Sequence, residues 1–371
     1  QCSHHSTDQH QIMVHYSFPV LLNALLWLNL LVVDLSKAWT PNICPNGCSC
    51  YIGEHGLRTL SCAKVGLMAF PNPEFISSDV NVIDVSNNKI ETVPPNLRLA
   101  HPELVILDIS ANRLTDIPSF NAPSLLKLNL SNNAIGAIYK DAFISVNRLH
   151  YLDLSKNKIS YVDKLAFKNL DILWQLDLSF NRLTELPNLD SLDSLSELFL
   201  HKNDLDAISM SQLRLPKLLD LDLSSNKIQF LDEMAFSGCP MLRTLDLSGN
   251  YLHQVPRQAL FYVATLSQLD LRNNPLTSIQ EGDFTAFPHL QEIQLSGTKI
   301  ATIEDDAFTN LASLSRLYLN DNPNLVFLDH KSFQNLPLLT DLFLHNANLS
   351  TIPNIVAKIP SLKLLTIYGN P

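Results

Sequence analysis

The sequence predicts an α/β-type repeat solenoid, with a concave parallel β-sheet and a mostly irregular convex side. Three observations carry this prediction. An eleven-residue pattern, Leu-x-x-Leu-x-Leu-x-x-Asn-x-Leu, recurs thirteen times; its copies lie 21 to 25 residues apart; and four cysteines crowd into the 19 residues from Cys44 to Cys62, ahead of the first copy. Clear copies are LVILDISANRL at 104, LHYLDLSKNKI at 149, LRTLDLSGNYL at 242 and LSQLDLRNNPL at 266. A fixed period of this length means one supersecondary unit stacked on itself.

Each part of the unit has a physical reason. In Leu-x-Leu the side-chain period is 2, so the leucines enter a core and the residues between them face solvent, as in a short strand. One unit buries leucine on one side only and needs neighbours above and below. The asparagine falls where the chain turns away from the strand, at Asn88, Asn112, Asn133, Asn157, Asn181, Asn203, Asn226, Asn250, Asn274, Asn322 and Asn370, with Thr298 and Ala347 in two units. Its amide can donate to and accept from the backbone of adjacent coils, so a structural ladder is expected. Ten residues later comes Phe143, Phe167, Phe236, Phe284 or Phe308, and Phe333 one place late, as expected for an outer aromatic spine. The two shortest units lack this Phe and carry Pro118 or Pro187, which implies tighter outer turns.

Ahead of the repeats, residues 13–38 read as a secretory signal peptide, with an apolar run over Val20–Val33 and Ser36-Lys37-Ala38 as the cleavage site. The run is broken by Asn23 and Asn29 and is short for a membrane span. Residues 1–12, with Cys2, precede Met13 and read as untranslated or appended sequence. In an exported chain Cys44, Cys48, Cys50 and Cys62 read as two disulfides rather than a four-thiolate zinc site, and their spacing leaves three pairings open. Cys239 stands where other units place Val146, Leu170 or Leu311 and reads as a buried small hydrophobe.

The repeats resemble those of extracellular leucine-rich repeat proteins, and Cys44–Cys62 followed by LMAFPNP is similar to the cysteine-rich cap of that family. The resemblance spans residues 44–371 and implies a horseshoe, a cap over residues 39–79, repeats over 80–371, and the pairs Cys44–Cys50 and Cys48–Cys62. The eleven residues before Cys62 exceed the usual small matrix proteoglycan spacing, so Slit-, Toll- and Capricious/Tartan-like proteins are the nearer likeness. Tyr368-Gly369-Asn370-Pro371 falls halfway through unit thirteen. The expectation is a truncated chain whose natural form continues into a second cysteine cap, with a membrane anchor among the options.

Function is expected on the sheet. No nucleophile elbow, His-Glu-x-x-His, phosphate loop or EF-hand occurs, so neither an enzyme, a cofactor nor a metal is expected. The net charge of −10 disfavours nucleic acid. Asp84, Asp108, Asp153, Asp177, Asp222, Asp246 and Asp270 occupy the middle of the strand pattern, read as habitual filler rather than an acidic track. Departures from that filler mark the candidate ligand-binding residues: Phe199, His201 and Lys202, then Arg272, Arg316, Tyr318, Phe343 and His345, with Tyr151, Phe180 and, more weakly, Trp174 beside them. Aromatics and Arg dominate protein interfaces. Asn129 and Asn348 are glycosylation signals, and a glycan on Asn129 would push a ligand toward later units. The expected partner is an extracellular protein or cell-surface receptor, with homodimerisation through the same face as a further option.

Overall fold

The computed structural model describes residues 44–94, 101–119, 122–209, 212–285, 287–351, 357 and 359–371. The expected signal peptide, Cys2 and residues 39–43 lie outside them. The chain winds into a solenoid around one fifteen-stranded sheet. The first two strands, Ser49–Ile52 and Arg58–Ser61, form an antiparallel pair with Cys50 opposite Leu60. The second of them joins Val82–Asp84 in parallel, Leu60 beside Ile83, and the thirteen repeat strands then follow in parallel order.

Each repeat strand is three residues long, and in nearly all of them the middle residue alone is buried while its neighbours are half-exposed, as in Tyr151–Asp153, Glu197–Phe199 and Arg316–Tyr318. The register is strict: Leu176, Leu198 and Leu221 lie side by side on adjacent strands. One apolar core therefore runs without a break from Leu60 to Ile359. At about 1.5–3 kcal/mol per buried leucine, this stacking is the main stabilising contribution.

The asparagine ladder forms as expected. Asn157 Nδ2 donates to Leu130 O and Leu154 O, both at 3.0 Å, and its Oδ1 accepts the Ile135 N–H at 3.1 Å. Asn181 and Asn250 repeat the arrangement one or more coils on. The convex side is mostly irregular among the described residues, with three two-stranded parallel ladders, a short α-helix, Arg257–Leu260, and a 3₁₀ turn, His330–Phe333. Phe143 stacks on Phe167 at 6.0 Å, and Phe308 stacks between Phe284 and Phe333 at 5.7 and 5.9 Å. Phe236 is fully buried, but the next coil places Leu260 in its register, which interrupts the spine.

Cys44 bonds Cys50 and Cys48 bonds Cys62, the pairing the family resemblance implies. Cys62 and Phe70 are buried against the first coil, so the cap closes that end of the core. Cys239 is a free, buried thiol pushed up to about 11 by burial. Beside it, Gly238 meets the previous coil so closely that a Cβ would run into the Leu213 carbonyl oxygen and stand 2.9 Å from Arg214 Cα.

Candidate binding face

The concave face is a grid whose rows are strands about 4.8 Å apart and whose columns are the positions around the two strand leucines. Most middle-column aspartates have a structural task. Oδ1 of Asp108, Asp153, Asp177, Asp222 and Asp246 accepts the backbone N–H two residues on, at 2.8 or 2.9 Å. Asn129 performs the same task toward Ser131 at 3.0 Å. Its Nδ2 donates to Asp108 Oδ2 at 3.1 Å, so this glycosylation-signal amide is engaged on the face itself, whereas Asn348 is exposed in a turn.

The eight residues expected to bind ligand fall into two groups with Arg272 between them. In the first, Phe199 lies between Asp177 and Asp222 on the neighbouring strands. His201 Nδ1 stands 2.9 Å from Asp222 Oδ2, and its ring meets Phe180 edge-on at 5.2 Å. Burial opposes the imidazolium, but the contact with Asp222 and the field of Asp177 raise the His201 pKa. Burial likewise opposes the Asp222 carboxylate, and His201 together with the hydrogen bonds from Ser224 outweighs it, lowering that pKa. Lys202 leaves the sheet and places Nζ 4.4 Å from the Phe180 ring centre. Trp174 packs edge-on against Tyr151 of the adjacent strand at 5.6 Å.

The second group is an aromatic array. Tyr318 and Phe343 occupy the same register position on adjacent strands and stack at 4.3 Å with rings 3° apart. Phe343 meets His345 edge-on at 6.4 Å, and His345 stacks on Tyr368 at 4.6 Å. Arg316 is held beside them by Glu292, with Nε 2.7 Å from the carboxylate. Sequence reasoning missed Tyr368, which is 64% exposed; it fills the column of His345 and His201, a signal visible once the thirteen units are aligned.

Between the groups lie carboxylates set side by side on adjacent strands. Asp222, Asp246 and Asp270 are in direct register. Burial and the neighbouring Asp246 push Asp270 up to about 7, against the opposing pull of Arg272, whose Nε is 3.0 Å from Asp270 Oδ2. Burial and Asp220 push Glu197 up to about 7 as well. A carboxyl whose folded pKa is raised binds more protons folded than unfolded between its ordinary value near 4 and its folded value. Stability is therefore expected to fall as pH rises through roughly 4 to 7. Asp270→Asn keeps the Oδ1 acceptor, as Asn129 does naturally, and removes the charge. Its thermal midpoint should be higher than wild type at pH 8, with a shallower pH slope, each kcal/mol appearing as about 2–4 °C in a thermal melt. An unchanged slope would assign the pH sensitivity to other groups.

A leucine rich repeat family model matches residues 102–159, 123–183, 193–252 and 264–323, more than half of the chain. The chain belongs to the leucine-rich repeat family. Among curated proteins this leucine-rich repeat chain is similar to Tsukushi from Gallus gallus, 30% identical over 243 residues that cover 62% of this chain and 53% of that protein. It is 29% identical to biglycan from Canis lupus familiaris over 254 residues, 61% of this chain and 66% of that one. It thus spans about half to two thirds of the length of these relatives. Among solved structures it is similar to a TLR13–ssRNA13 complex, with a TM-score of 0.74 and 27% identity over 79% of this chain and 44% of that chain. The APL1 leucine-rich repeat domain, at 22% identity and a TM-score of 0.69, shares the fold over 83% of this chain and 79% of that one. Both matrix proteoglycans and Toll-type proteins are therefore among its likenesses. With two cap disulfides and extracellular relatives, the chain is an extracellular leucine-rich repeat protein, secreted or an ectodomain, and proteins of this family are typically binding modules that do no chemistry. No helix among the described residues is long and apolar enough to cross a membrane.

Proposed function

We propose that the concave face binds an extracellular protein ligand or cell-surface receptor, in cell adhesion, neuronal guidance or receptor signalling, by recognition and not catalysis. The observation that carries this reading is the array Tyr318, Phe343, His345 and Tyr368, four rings in contact across three coils with Arg316 fixed alongside. Rigid aromatics cost little entropy to order and are the usual anchors of an interface. The strict strand register pre-organises them. Phe199 and His201 extend the contact surface toward the N-terminal coils, and a glycan on Asn129 would bound it there and keep the ligand on the later units. The acidic middle of the face favours a ligand with basic groups over nucleic acid. A second copy of the chain could use the same face.

Likeness to the TLR13–ssRNA13 complex supports an innate-immune ectodomain as the second reading, and likeness to biglycan supports a matrix protein. An array of secreted and cell-surface ectodomains, probed with the wild-type chain and with Tyr318→Ala/Phe343→Ala, tests the proposal. Ligands found by the wild type should bind the double variant at least about 10-fold more weakly, or about 1.4 kcal/mol. They should bind Phe230→Ala, altered on the convex side, unchanged. Ligands that bind the double variant as well as the wild type would sink the proposal.

A further inference from the structure

The residue preceding each ladder position is left-handed in all thirteen coils, with φ between 51° and 71°. Side chains beyond glycine are strained there, and asparagine or aspartate tolerate it best. Nine coils obey this and use Asn, Gly, Asp or Ser, and one uses Ala111. Three consecutive coils do not: they carry Lys156, Phe180 and Lys202, at φ 54°, 53° and 53°. A strained conformation filled with long side chains in three adjacent coils points to a use for those side chains.

Their placement makes that use concrete. Lys156 Nζ lies 5.5 Å and Lys202 Nζ 4.4 Å from the centre of the Phe180 ring, so one exposed phenyl sits between two ammonium groups. Lys158 and Arg182, two residues farther on in the first two of these coils, are exposed on the same rim. None of these four cations has a salt bridge among the described residues. The turns that carry them are fixed to one another, since Lys156, Phe180 and Lys202 donate their N–H groups to Ser179 O, His201 O and Ser224 O at 2.9, 2.9 and 3.0 Å. In a chain of net charge −10 this rim is a local positive strip, two coil spacings or about 10 Å long between Lys156 and Lys202.

We propose that this rim binds a sulfated glycosaminoglycan chain. The C–H face of a sugar ring packs on Phe180, while sulfate or carboxylate groups on either side meet Lys156 and Lys202, with Lys158 and Arg182 extending the track. A thin linear polyanion fits because it can follow the rim alone. Asp177 and Asp222 lie on the face just inside it, so a broad anionic surface that covered both would meet carboxylates. The site is separate from the aromatic array near Tyr318, and its occupant is a polysaccharide rather than a protein.

The probe is immobilised heparan sulfate, with the full chain in solution at about 0.15 M salt. Lys156→Asn/Lys202→Asn installs residues that other coils use at this position, so the fold is preserved. The double variant should bind at least 10-fold more weakly and with a shallower salt dependence, because two fewer counterions are displaced. Phe180→Asn should also weaken binding, while Tyr318→Ala/Phe343→Ala should leave it unchanged, so this proposal and the concave-face reading can fail separately. Absence of heparan sulfate binding by the wild type, full binding by the double variant, equal binding of desulfated chains, or equal competition by poly(U) would each overturn it.

Discussion

Asn322→Ala is expected to cost about 3–5 kcal/mol of stability, more than any other single removal from the asparagine ladder. In ordinary coils each inner carbonyl receives two side-chain amides: Leu130 O is served by Asn133 and Asn157, and Leu154 O by Asn157 and Asn181. Asn322 is flanked by the two units that break the pattern, Thr298 and Ala347. Neither has an amide to give, so Leu295 O and Leu319 O depend on Asn322 Nδ2 alone for this service, at 3.0 and 2.9 Å. Its Oδ1 also accepts both the Thr298 N–H, at 3.0 Å, and the Thr298 hydroxyl. Removing the fully buried Asn322 side chain leaves two carbonyls and one N–H unpaired in the core, each costing about 1–3 kcal/mol. Asn157→Ala orphans only the Ile135 N–H and should cost about 1–2 kcal/mol. Chemical denaturation of both variants, with hydrogen exchange at the Thr298 amide, makes the comparison. Equal losses would mean that double coverage has no energetic weight.

The gaps at Thr298 and Ala347 are plain in the sequence, but their consequence is not, because it depends on which amide reaches which coil. The same holds across the molecule. The strand leucines, the ladder and the Phe spine were legible because a repeat states its own geometry thirteen times, and any one side chain then inherits a place in the grid. The cap pairing was not legible from spacing and came from the resemblance alone. On the binding face, Phe199, Tyr318 and Phe343 stand out against Asp as departures from a habit. Tyr368 was passed over because its ring partner, His345, is one full coil away in sequence and adjacent only in the stack. Glu197, Asp220 and Glu292 were missed for a related reason. Each is an ordinary exposed acid in its own unit, and only the register that sets Glu197 beside Asp220 turns two such residues into a repulsive pair. Phe180 was read as part of the face, and the left-handed backbone position it occupies is a feature the sequence pattern does not announce.

The outer spine gives the second large effect, and its interruptions supply the control. Phe308 is fully buried and stacked on both sides, with Phe284 15° and Phe333 21° from parallel. Phe308→Ala should cost about 4–8 kcal/mol: the cavity and transfer loss for a buried Phe is about 3–5 kcal/mol, and each of the two ring contacts adds about 0.5–1.5 kcal/mol. Phe236 is equally buried, yet the following coil offers it Leu260 in place of a ring. Phe236→Ala should therefore cost about 3–4 kcal/mol. Phe308→Leu, which copies what the chain does at Leu260, should cost less, about 1–3 kcal/mol, because it gives up the two ring contacts but keeps much of the buried volume. If Phe236→Ala proves as damaging as Phe308→Ala under urea denaturation, burial alone accounts for the spine and the stacking adds nothing. The consequence reaches the binding face because a solenoid transmits disturbance between neighbours. Phe308 sits on the coil between the strands Glu292–Gln294 and Arg316–Tyr318, and Phe333 on the coil leading to Asp341–Phe343. A collapse of the outer stack tilts these coils against one another, and the 4.3 Å contact of Tyr318 with Phe343 is the feature of the face with least tolerance for such a tilt.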